Sequence, residues 1–426
     1  MIFHRVLILP IGTEIGLEIY RALRYSKHFE VFGISSDNNN HGRFVCKNYI
    51  EENLPLFKNS NFWQQLLNVV KKYKIDFIYP ASPLLFDVLY CMPNKKLKQK
   101  IILPNFETVR ICRSKRKTYL QFLQSLEFEV PGGIAFKEDF KYPIFLKPEF
   151  GQGSLNSFII NSKEEFDFYI KKIEHPFPVE YIDGPEYTVD CFTNRHGELR
   201  FVGARQRNRI KNGISVNTSI VDNKRFKPIA EMINATLEMR GGWFFQVKGN
   251  EKLYLLEIEP RIAGTSGIWR QVGVNLPLLT LYDRLKRDVQ IEQLDLNIEL
   301  DRAYKARFKV KLEFDHVYID FDDTILIDNS VNTKLMDFLY QCKNNNKQVY
   351  LLTRNAGVHE LLERHLICKG LFNNIGIVEA NLKKSDYINR FPSIFIDDSF
   401  GERREVKKNI GIQVFDLDAV ECLREG

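Results

Sequence analysis

At 426 residues the chain exceeds what one ordinary hydrophobic core supports, so two or three domains are expected. Its 44% apolar and 27% charged residues describe a globular chain rather than a disordered one. The net charge of +7 is spread along the whole length, without the long basic block and interleaved aromatics of a nucleic-acid binder. So mild an excess fits a solvated surface, and equally an enzyme with phosphorylated, acidic substrates.

The seven cysteines (Cys46, Cys91, Cys112, Cys191, Cys342, Cys368 and Cys422) are dispersed and form no C-x-x-C pair. That argues against a disulfide framework and against a zinc site. Met1 to Ile15 shows no signal-peptide pattern, and no run approaches the ~20 apolar residues of a membrane span. No membrane partner is expected, and the expected location is cytoplasmic.

In chain order, Arg5 to Pro10 reads as a strand, the segment Gly12 to Gly16 as a glycine turn, and the residues through Leu23 as a helix. The lone G-x-x-x-G does not match the dinucleotide fingerprint. Strand-like runs recur at Glu30–Ser35 and Asp76–Pro80, with a helical stretch at Phe62–Tyr73 between them. This alternation predicts a parallel α/β sheet. Residues Arg113 to Leu126 are charged and helical, and Pro131-Gly132-Gly133 punctuates the chain. From Pro143 to about Pro260 the pattern turns strand-rich, and Ser162-Lys163-Glu164-Glu165 reads as a capping box. The polar stretch Asp283 to Lys311 reads as a linker or terminal packing segment. A second α/β unit begins at His316–Phe321, with strands at Gln348–Leu352, Ile375–Val378, Ile394–Ile396 and Ile412–Phe415.

Three segments in the middle of the chain carry candidate chemistry. A strand delivers Lys147 and breaks into a small-residue turn through Gly151, Gly153 and Ser154. Glycines let backbone N–H groups approach phosphate oxygens, and the lysine adds a point charge. Glu180 and Glu186 flank a glycine break between two strands, where carboxylates can accept from an adenine amino group and ribose hydroxyls. Phe244–Val247 and Leu253–Arg261 read as paired strands, with Gln246, Glu257 and Glu259 on one face. Such hard oxygen donors suit Mg²⁺ bridging nucleotide phosphates.

Taken in order, these segments resemble the ATP-grasp superfamily, in particular its carbamoyl-phosphate-synthase-like branch, over residues 5–290. The resemblance implies a Rossmann-like pre-ATP-grasp domain at 1–110 and an α+β ATP-grasp domain at 111–300. ATP and Mg²⁺ are the implied cofactors. It places Lys115 and Lys147 on phosphates, Glu180 with Tyr181 and Ile182 on adenine, and Glu186 on ribose. Gln246, Glu257 and Glu259 fall at the metal, and Arg261 at the reacting groups. Two positions depart from the family pattern. Ser114 stands where Asp is common, leaving open whether Lys115 or Lys117 serves, and Glu257-Ile258-Glu259-Pro260-Arg261 replaces E-x-N-x-R. The implied reaction is phosphorylation of a carboxylate by ATP, followed by amine attack on the acyl phosphate. Arg205 or Arg207 are candidates to steady the carboxylate, and Gly264–Gly267 to border the acceptor.

Near the end, the apolar strand His316–Ile319 runs into Asp320-Phe321-Asp322-Asp323-Thr324. This spacing lets Asp320 attack phosphorus while Asp322 acts as general acid and base. Val349–Thr353, Lys383-Lys384 and Phe395-Ile396-Asp397-Asp398 follow at intervals of about thirty residues or fewer. The order resembles the haloacid-dehalogenase-like superfamily over residues 315–426, implying a capless Rossmannoid phosphatase domain at 312–426. That resemblance puts Thr353 and Lys384 (or Lys383) on the phosphoryl group. It puts Mg²⁺ on Asp320, Asp322 and Asp397, with Asp398 as a further partner. The intervals leave no room for a large cap, so an open site is expected.

Together these readings predict a multidomain α/β protein that joins a carboxylate to an amine and removes a phosphate. One economical sequence is ligation of an amine that carries a phosphate, then dephosphorylation of the amide. A sugar acid and an amino-alcohol phosphate, as in surface-polysaccharide synthesis, are one such pair. Alternatives are two activities on separate metabolites, or a nucleotide-binding module that regulates the phosphatase.

Overall fold

The computed structural model describes residues 3–424 except 53, 56–58, 60, 87–93, 133–140, 152 and 309. Cys91, Gln152 and Gly133 therefore lie outside the described residues. The chain divides into two units, Met1–Tyr304 and Lys305–Gly426. Among the described residues, Cys46, Cys112, Cys191, Cys342, Cys368 and Cys422 are free thiols, and no helix is long and apolar enough to cross a membrane.

The first unit starts with β1 (His4–Leu9), β2 (Phe29–Gly33), β3 (Asn48–Tyr49) and β4 (Phe77–Pro80), a parallel sheet in the order β3-β2-β1-β4. The run Val6-Leu7-Ile8-Leu9 is continuously apolar because both faces of this central strand are covered. Val6 and Ile8 pack with Phe201, Trp269 and Leu281, whereas Leu7 and Leu9 pack with Phe62, Leu66 and Ile78. Thr13 caps the helix Glu14–Leu23 by accepting from the Gly16 N–H at 3.0 Å.

The charged stretch after residue 105 forms two helices rather than one, Phe106–Arg113 and Lys115–Phe122. Ser114 ends the first and opens the second, its hydroxyl accepting from Lys117 N–H at 3.1 Å and donating to Glu149. A small antiparallel sheet follows, β5 (Ile144–Pro148), β6 (Phe158–Ile160) and β7 (Pro176–Glu180), in the order β6-β5-β7. The expected capping box is only half formed. Ser162 Oγ accepts from Glu165 N–H, but the Glu165 carboxylate reaches one residue further back, to Asn161 N–H at 2.8 Å.

The large sheet contains β8 (Glu186–Thr193), β9 (Leu199–Lys211), β10 (Ile214–Ile220), β11 (Gly241–Lys248), β12 (Tyr254–Glu259) and β13 (Glu299–Asp301). Its antiparallel order is β12-β11-β8-β9-β10-β13. Alternation sorts its two faces. Val189, Cys191, Ala204, Trp243, Phe245, Val247 and Ile258 join a core with Ile229 and Ile233 of the helix Lys227–Thr236. The other face carries the polar set Glu186, Thr188, Asp190, Arg205, Arg207, Gln246 and Glu257. Asp283 to Lys311 is not simply a linker. Asp283 is buried and accepts from Arg195 N–H and Arg240 Nε, Ile291 and Ile298 pack on the first core, and β13 pairs with β10. Burial of these scattered apolar residues outweighs the polar composition of the stretch.

The second unit holds β14 (His316–Ile319), a ribbon of β15 (Leu326–Ile327) and β16 (Ser330–Val331), then β17 (Gln348–Thr353), β18 (Asn374–Ile377), β19 (Ser393–Ile396) and β20 (Gln413–Phe415). Apart from the ribbon, these form one parallel sheet in the order β18-β17-β14-β19-β20. Val317 and Ile319 face one core and Tyr318 the other. The intervals between the acidic and hydroxyl motifs are filled by elements of this layer, including the helices Thr333–Asn344 and Val358–Arg364.

On the polar face of the large sheet, Asp190 Oδ2 accepts from Arg205 Nε at 2.7 Å and from Trp269 Nε1 at 2.8 Å, with Asp190 and Arg205 both buried. Asp190→Ala would strand a buried guanidinium. It is expected to cost about 3–5 kcal/mol in urea denaturation, with partial recovery in Asp190→Ala/Arg205→Met.

Candidate functional site

In the first unit a cleft forms where the small sheet faces the polar side of the large one. Lys115, Lys147, Gly151, Gly153, Ser154, Glu180, Tyr181, Ile182, Glu186, Gln246 and Glu257 all line it. These eleven sequence candidates come from four separate stretches of chain, and folding converges them.

Each is placed by a local cause. Lys147 sits on β5 next to its break, is buried, and donates to Tyr119 Oη at 2.7 Å. Burial, with the charge of Lys115 second, holds the Lys147 ammonium down to about 7, against the pull of Glu257 and Glu186. Lys115 opens its helix and donates to the Gly151 carbonyl at 3.2 Å. Lys117, the alternative, contributes no wall to the cleft. Gly153 and Ser154 both have positive φ, and the turn they make lies under Gly213 at the tip of the β9–β10 hairpin. A Cβ on Gly213 would sit 2.4 Å from the Gly153 backbone, so this close approach requires glycine.

Glu180 accepts from Gly132 N–H at 3.2 Å through its carboxylate. Glu186 pairs with Arg207, which also donates to Gln246 Oε1 at 3.0 Å and to the Gly213 carbonyl at 2.7 Å. Arg207 thus ties the ribose candidate, the metal candidate and the hairpin tip together. Gln246 and Glu257 stand directly opposite across β11 and β12. Glu259 differs from its sequence reading as an available metal ligand. It is buried behind the cleft, 3.2 Å from Arg261 Nε, and its carboxyl is raised by burial, with Arg261 opposing.

A second cavity continues from the first. The two share Gly153, Leu155, Arg207, Gly213, Gln246 and Glu257 as wall. Its far side is built by Thr13, Glu14 and Ile15 after β1, by Ala81 to Pro83 after β4, and by Gly264 and Thr265. Arg205, Arg261 and Arg302 also line it, and Arg302 pairs with Glu14 at 2.7 Å. Arg205 spends its Nε on Asp190, while its Nη1 and the neighbouring Thr188 Oγ1 have no hydrogen-bond partner among the described residues. Thr188 and Arg302 were not foreseen; one is a β-sheet neighbour of Arg205 and Gln246, the other lies in the polar stretch expected to be a linker or terminal packing segment.

In the second unit, the ends of β14 and β19 and the 3-10 turn Lys384–Tyr387 bring Asp320, Asp397 and Lys384 together. Lys384 Nζ donates to Asp320 Oδ1 and to Asp397 Oδ2, both at 2.6 Å, and all three residues are buried. Lys383 stays outside this contact. Burial raises the Asp320 carboxyl to about 6, with Lys384 opposing and Asp397 reinforcing. Among the described residues, the carboxylates close enough to share a cation are Asp320, Asp397 and Asp398, with ligand atoms within 4.8 Å of one another. Asp398, expected as a further partner, joins Asp320 and Asp397 in this cluster, and the Asp322 carboxylate is not part of it. The Asp322 carboxylate accepts from Thr353 Oγ1 at 3.1 Å and Asn355 Nδ2 at 2.8 Å. That contact also occupies Thr353, which sequence reading placed on the phosphoryl group. Arg403 was not foreseen in the sequence, and Thr324 stood there only as the closing residue of the acidic motif. Arg403 Nη1 donates to the carbonyls of Asp397 and Asp398 at 2.6 and 2.7 Å, and Thr324 Oγ1 accepts from Asp398 N–H at 3.1 Å.

Residues 177–303 match a sequence family described as ATP-grasp in the biosynthetic pathway with Ter operon. No curated protein matches the chain by sequence. Among solved structures, the biotin carboxylase domain of Hydrogenobacter thermophilus 2-oxoglutarate carboxylase, a dimer with MgADP, ADP and bicarbonate, is 14% identical, with a TM-score of 0.58 over 70% of this chain and 73% of its own. N5-carboxyaminoimidazole synthetase from Staphylococcus aureus, complexed with ADP, is 16% identical, with a TM-score of 0.55 over 69% of this chain and 81% of its own. L-amino acid ligase from Bacillus licheniformis is 17% identical, with a TM-score of 0.51 over 67% of this chain and 75% of its own. At these identities the likeness is one of fold, the ATP-grasp fold of the first unit, and the family match covers residues 177–303 of it.

Proposed function

We propose that the first unit is an ADP-forming carboxylate–amine ligase and that the second is a magnesium-dependent phosphatase. The observation that carries the ligase reading is the shared wall of Gln246 and Glu257 between the lysine-bearing cleft and the arginine-lined cavity. A nucleotide in the cleft would lay its base against Glu180–Ile182, its ribose at Glu186 and its phosphates over Lys115, Lys147 and the turn 151–154. The known structures that share the fold with bound MgADP or ADP support this. The opposed oxygens of Gln246 and Glu257 fit Mg²⁺, which when bound neutralises phosphate charge.

In the second cavity a substrate carboxylate would approach along Arg205, Arg261 and Arg302. Its oxygen attacks the terminal phosphorus of ATP, the bridging P–O bond breaks, and ADP leaves. The amine nitrogen then attacks the acyl carbon, phosphate leaves with the C–O electron pair, and the nitrogen loses its proton. The arginines stabilise negative charge developing on the acyl oxygens.

The phosphatase reading rests on a cluster of three carboxylates, two of them on one ammonium. The excess negative charge fits a divalent cation held by Asp320, Asp397 and Asp398, which would supply charge neutralisation for an incoming phosphate. Asp320 attacks phosphorus, and the departing alkoxide takes a proton from Asp322. Water then cleaves the aspartyl phosphate, returning a proton to Asp322. Two phosphate chemistries on one chain support a joined sequence, in which the ligated amine carries the phosphate that the second unit removes.

For the ligase, Lys115→Ala is expected to weaken MgADP binding about 10- to 100-fold by titration calorimetry, while Lys117→Ala stays near wild type. Equal losses in both would sink the assignment. For the phosphatase, Mg²⁺ should raise the melting temperature of the wild-type protein but not of Asp397→Asn. Asp320→Asn protein given ATP, Mg²⁺, sugar acids and amines with and without phosphate should accumulate a phosphorylated amide, detected by mass spectrometry. Absence of such a species under every pairing would overturn the joined sequence.

A further inference from the structure

We propose that Tyr119 is a positioning residue for Lys147, its hydroxyl holding the buried ammonium ready for a nucleotide phosphate. The inference rests on the nucleotide-site reading above and adds a residue with no assigned role. Tyr119 follows Lys115 by four residues on the helix Lys115–Phe122, so both project from one face. Tyr119 is fully buried. Its hydroxyl donates to the Leu256 carbonyl of β12 at 3.2 Å and accepts from Lys147 Nζ of β5 at 2.7 Å. One oxygen thus links the helix, the small sheet and the large sheet at the back of the cleft. Since its single proton is committed to Leu256, it meets Lys147 with a lone pair, which suits an ammonium and not a neutral amine acting as acceptor.

Lys147 depends on this contact because its surroundings otherwise disfavour charge. The groups that act on it are Lys115 from the helix, Glu257 from β12 and Glu186 from β8. Among the described residues no carboxylate forms an ion pair with it, and the aromatic rings of Tyr119 and Phe145 lie 5.0 and 5.9 Å from its nitrogen. Phenylalanine at 119 would keep the ring packing against Phe177 and remove only the acceptor. A buried ammonium without an acceptor loses its proton more readily. Burial and Glu257 raise the Tyr119 phenol, so it stays protonated throughout the working range.

The sign of the pH effect follows. A phosphate binds the ammonium form, so affinity is full below the free-site pKa of Lys147 and falls about tenfold per unit above it, until the pKa of the complex is reached. For wild type, with Lys147 at about 7, the fall begins near neutrality. In Tyr119→Phe it should begin about one unit lower.

The test is MgADP affinity of the full chain by calorimetry from pH 6 to pH 9, for wild type, Tyr119→Phe and Lys147→Arg, with melting curves for each. Expected is a Tyr119→Phe affinity within about threefold of wild type at pH 6 and about tenfold weaker at pH 8. Lys147→Arg, charged at every pH, should lose this slope. A constant ratio of Tyr119→Phe to wild type at all pH values would reduce Tyr119 to packing and overturn the proposal. So would a slope that persists in Lys147→Arg, a result that does not depend on the Tyr119→Phe protein folding. Failure of wild type to bind MgADP at any pH would instead overturn the reading of the cleft itself.

Discussion

The buried pair of Asp190 and Arg205 is the constraint on which the first unit's site depends. In an antiparallel sheet a slip of one residue exchanges the two faces. Asp190 lies opposite Gly203 across β8 and β9, and its carboxylate reaches Arg205 two residues along on the same face. A slipped register would drive both charges into the apolar core of Phe245, Val247 and Ile258. The pair therefore fixes the row Arg205–Thr188–Gln246–Glu257, in which each residue stands opposite the next. Trp269 joins the same carboxylate and stacks edge-on against Phe201, which brings the following segment over the sheet and closes the second cavity. Such a pair gives little net stability, because desolvation consumes most of the Coulombic gain. Its contribution is to make the alternatives costly.

Two buried lysines show what each site lacks. Burial disfavours charge on both. Lys147, with a hydroxyl as its acceptor and Lys115 nearby, is driven down to about 7. Lys384 also suffers burial first, but Asp320 and Asp397 more than reverse it, and its ammonium is raised. The first environment is short of an anion and the second, with three acids to one lysine, is short of a cation. A phosphate-bearing ligand corrects the first imbalance and a divalent cation the second. The same residue type thus argues for opposite ligands at two sites, from surroundings alone.

Much of this was legible in the sequence because the signals were local. The strands that carry Lys147, Glu257 and Asp320 are apolar runs broken by small or charged residues, and their ends place the functional groups. What was hidden depends on contacts between distant segments. Tyr119 reads as one more aromatic on an amphipathic helix, and nothing near it reveals Lys147 or Leu256. The contacts of Asp322 depend on Thr353 and Asn355, which arrive from the neighbouring strand end and donate to its carboxylate. Arg302 sits in a stretch whose polar composition conceals a strand, because only a few apolar residues anchor it.

The Glu259 departure from the family pattern is resolved by the same reasoning. In sequence, a second glutamate in place of asparagine adds negative charge beside a cation site. In the fold, Glu259 lies opposite Phe244, is closed off from the cleft and faces Arg261 at 3.2 Å, while the Arg261 guanidinium also lies 5.2 Å from the Phe244 ring. Glu259 at the end of β12 and Arg261 two residues beyond it form an ion pair. Glu257, next to the cleft, remains the carboxylate that the strand presents to a cation, with the neutral oxygen of Gln246 opposite. The substitution therefore changes how Arg261 is held at the border of the second cavity more than it changes the charge at the cation site. An asparagine there would free the guanidinium from its ion pair, so Glu259 constrains where Arg261 sits at the border of the second cavity.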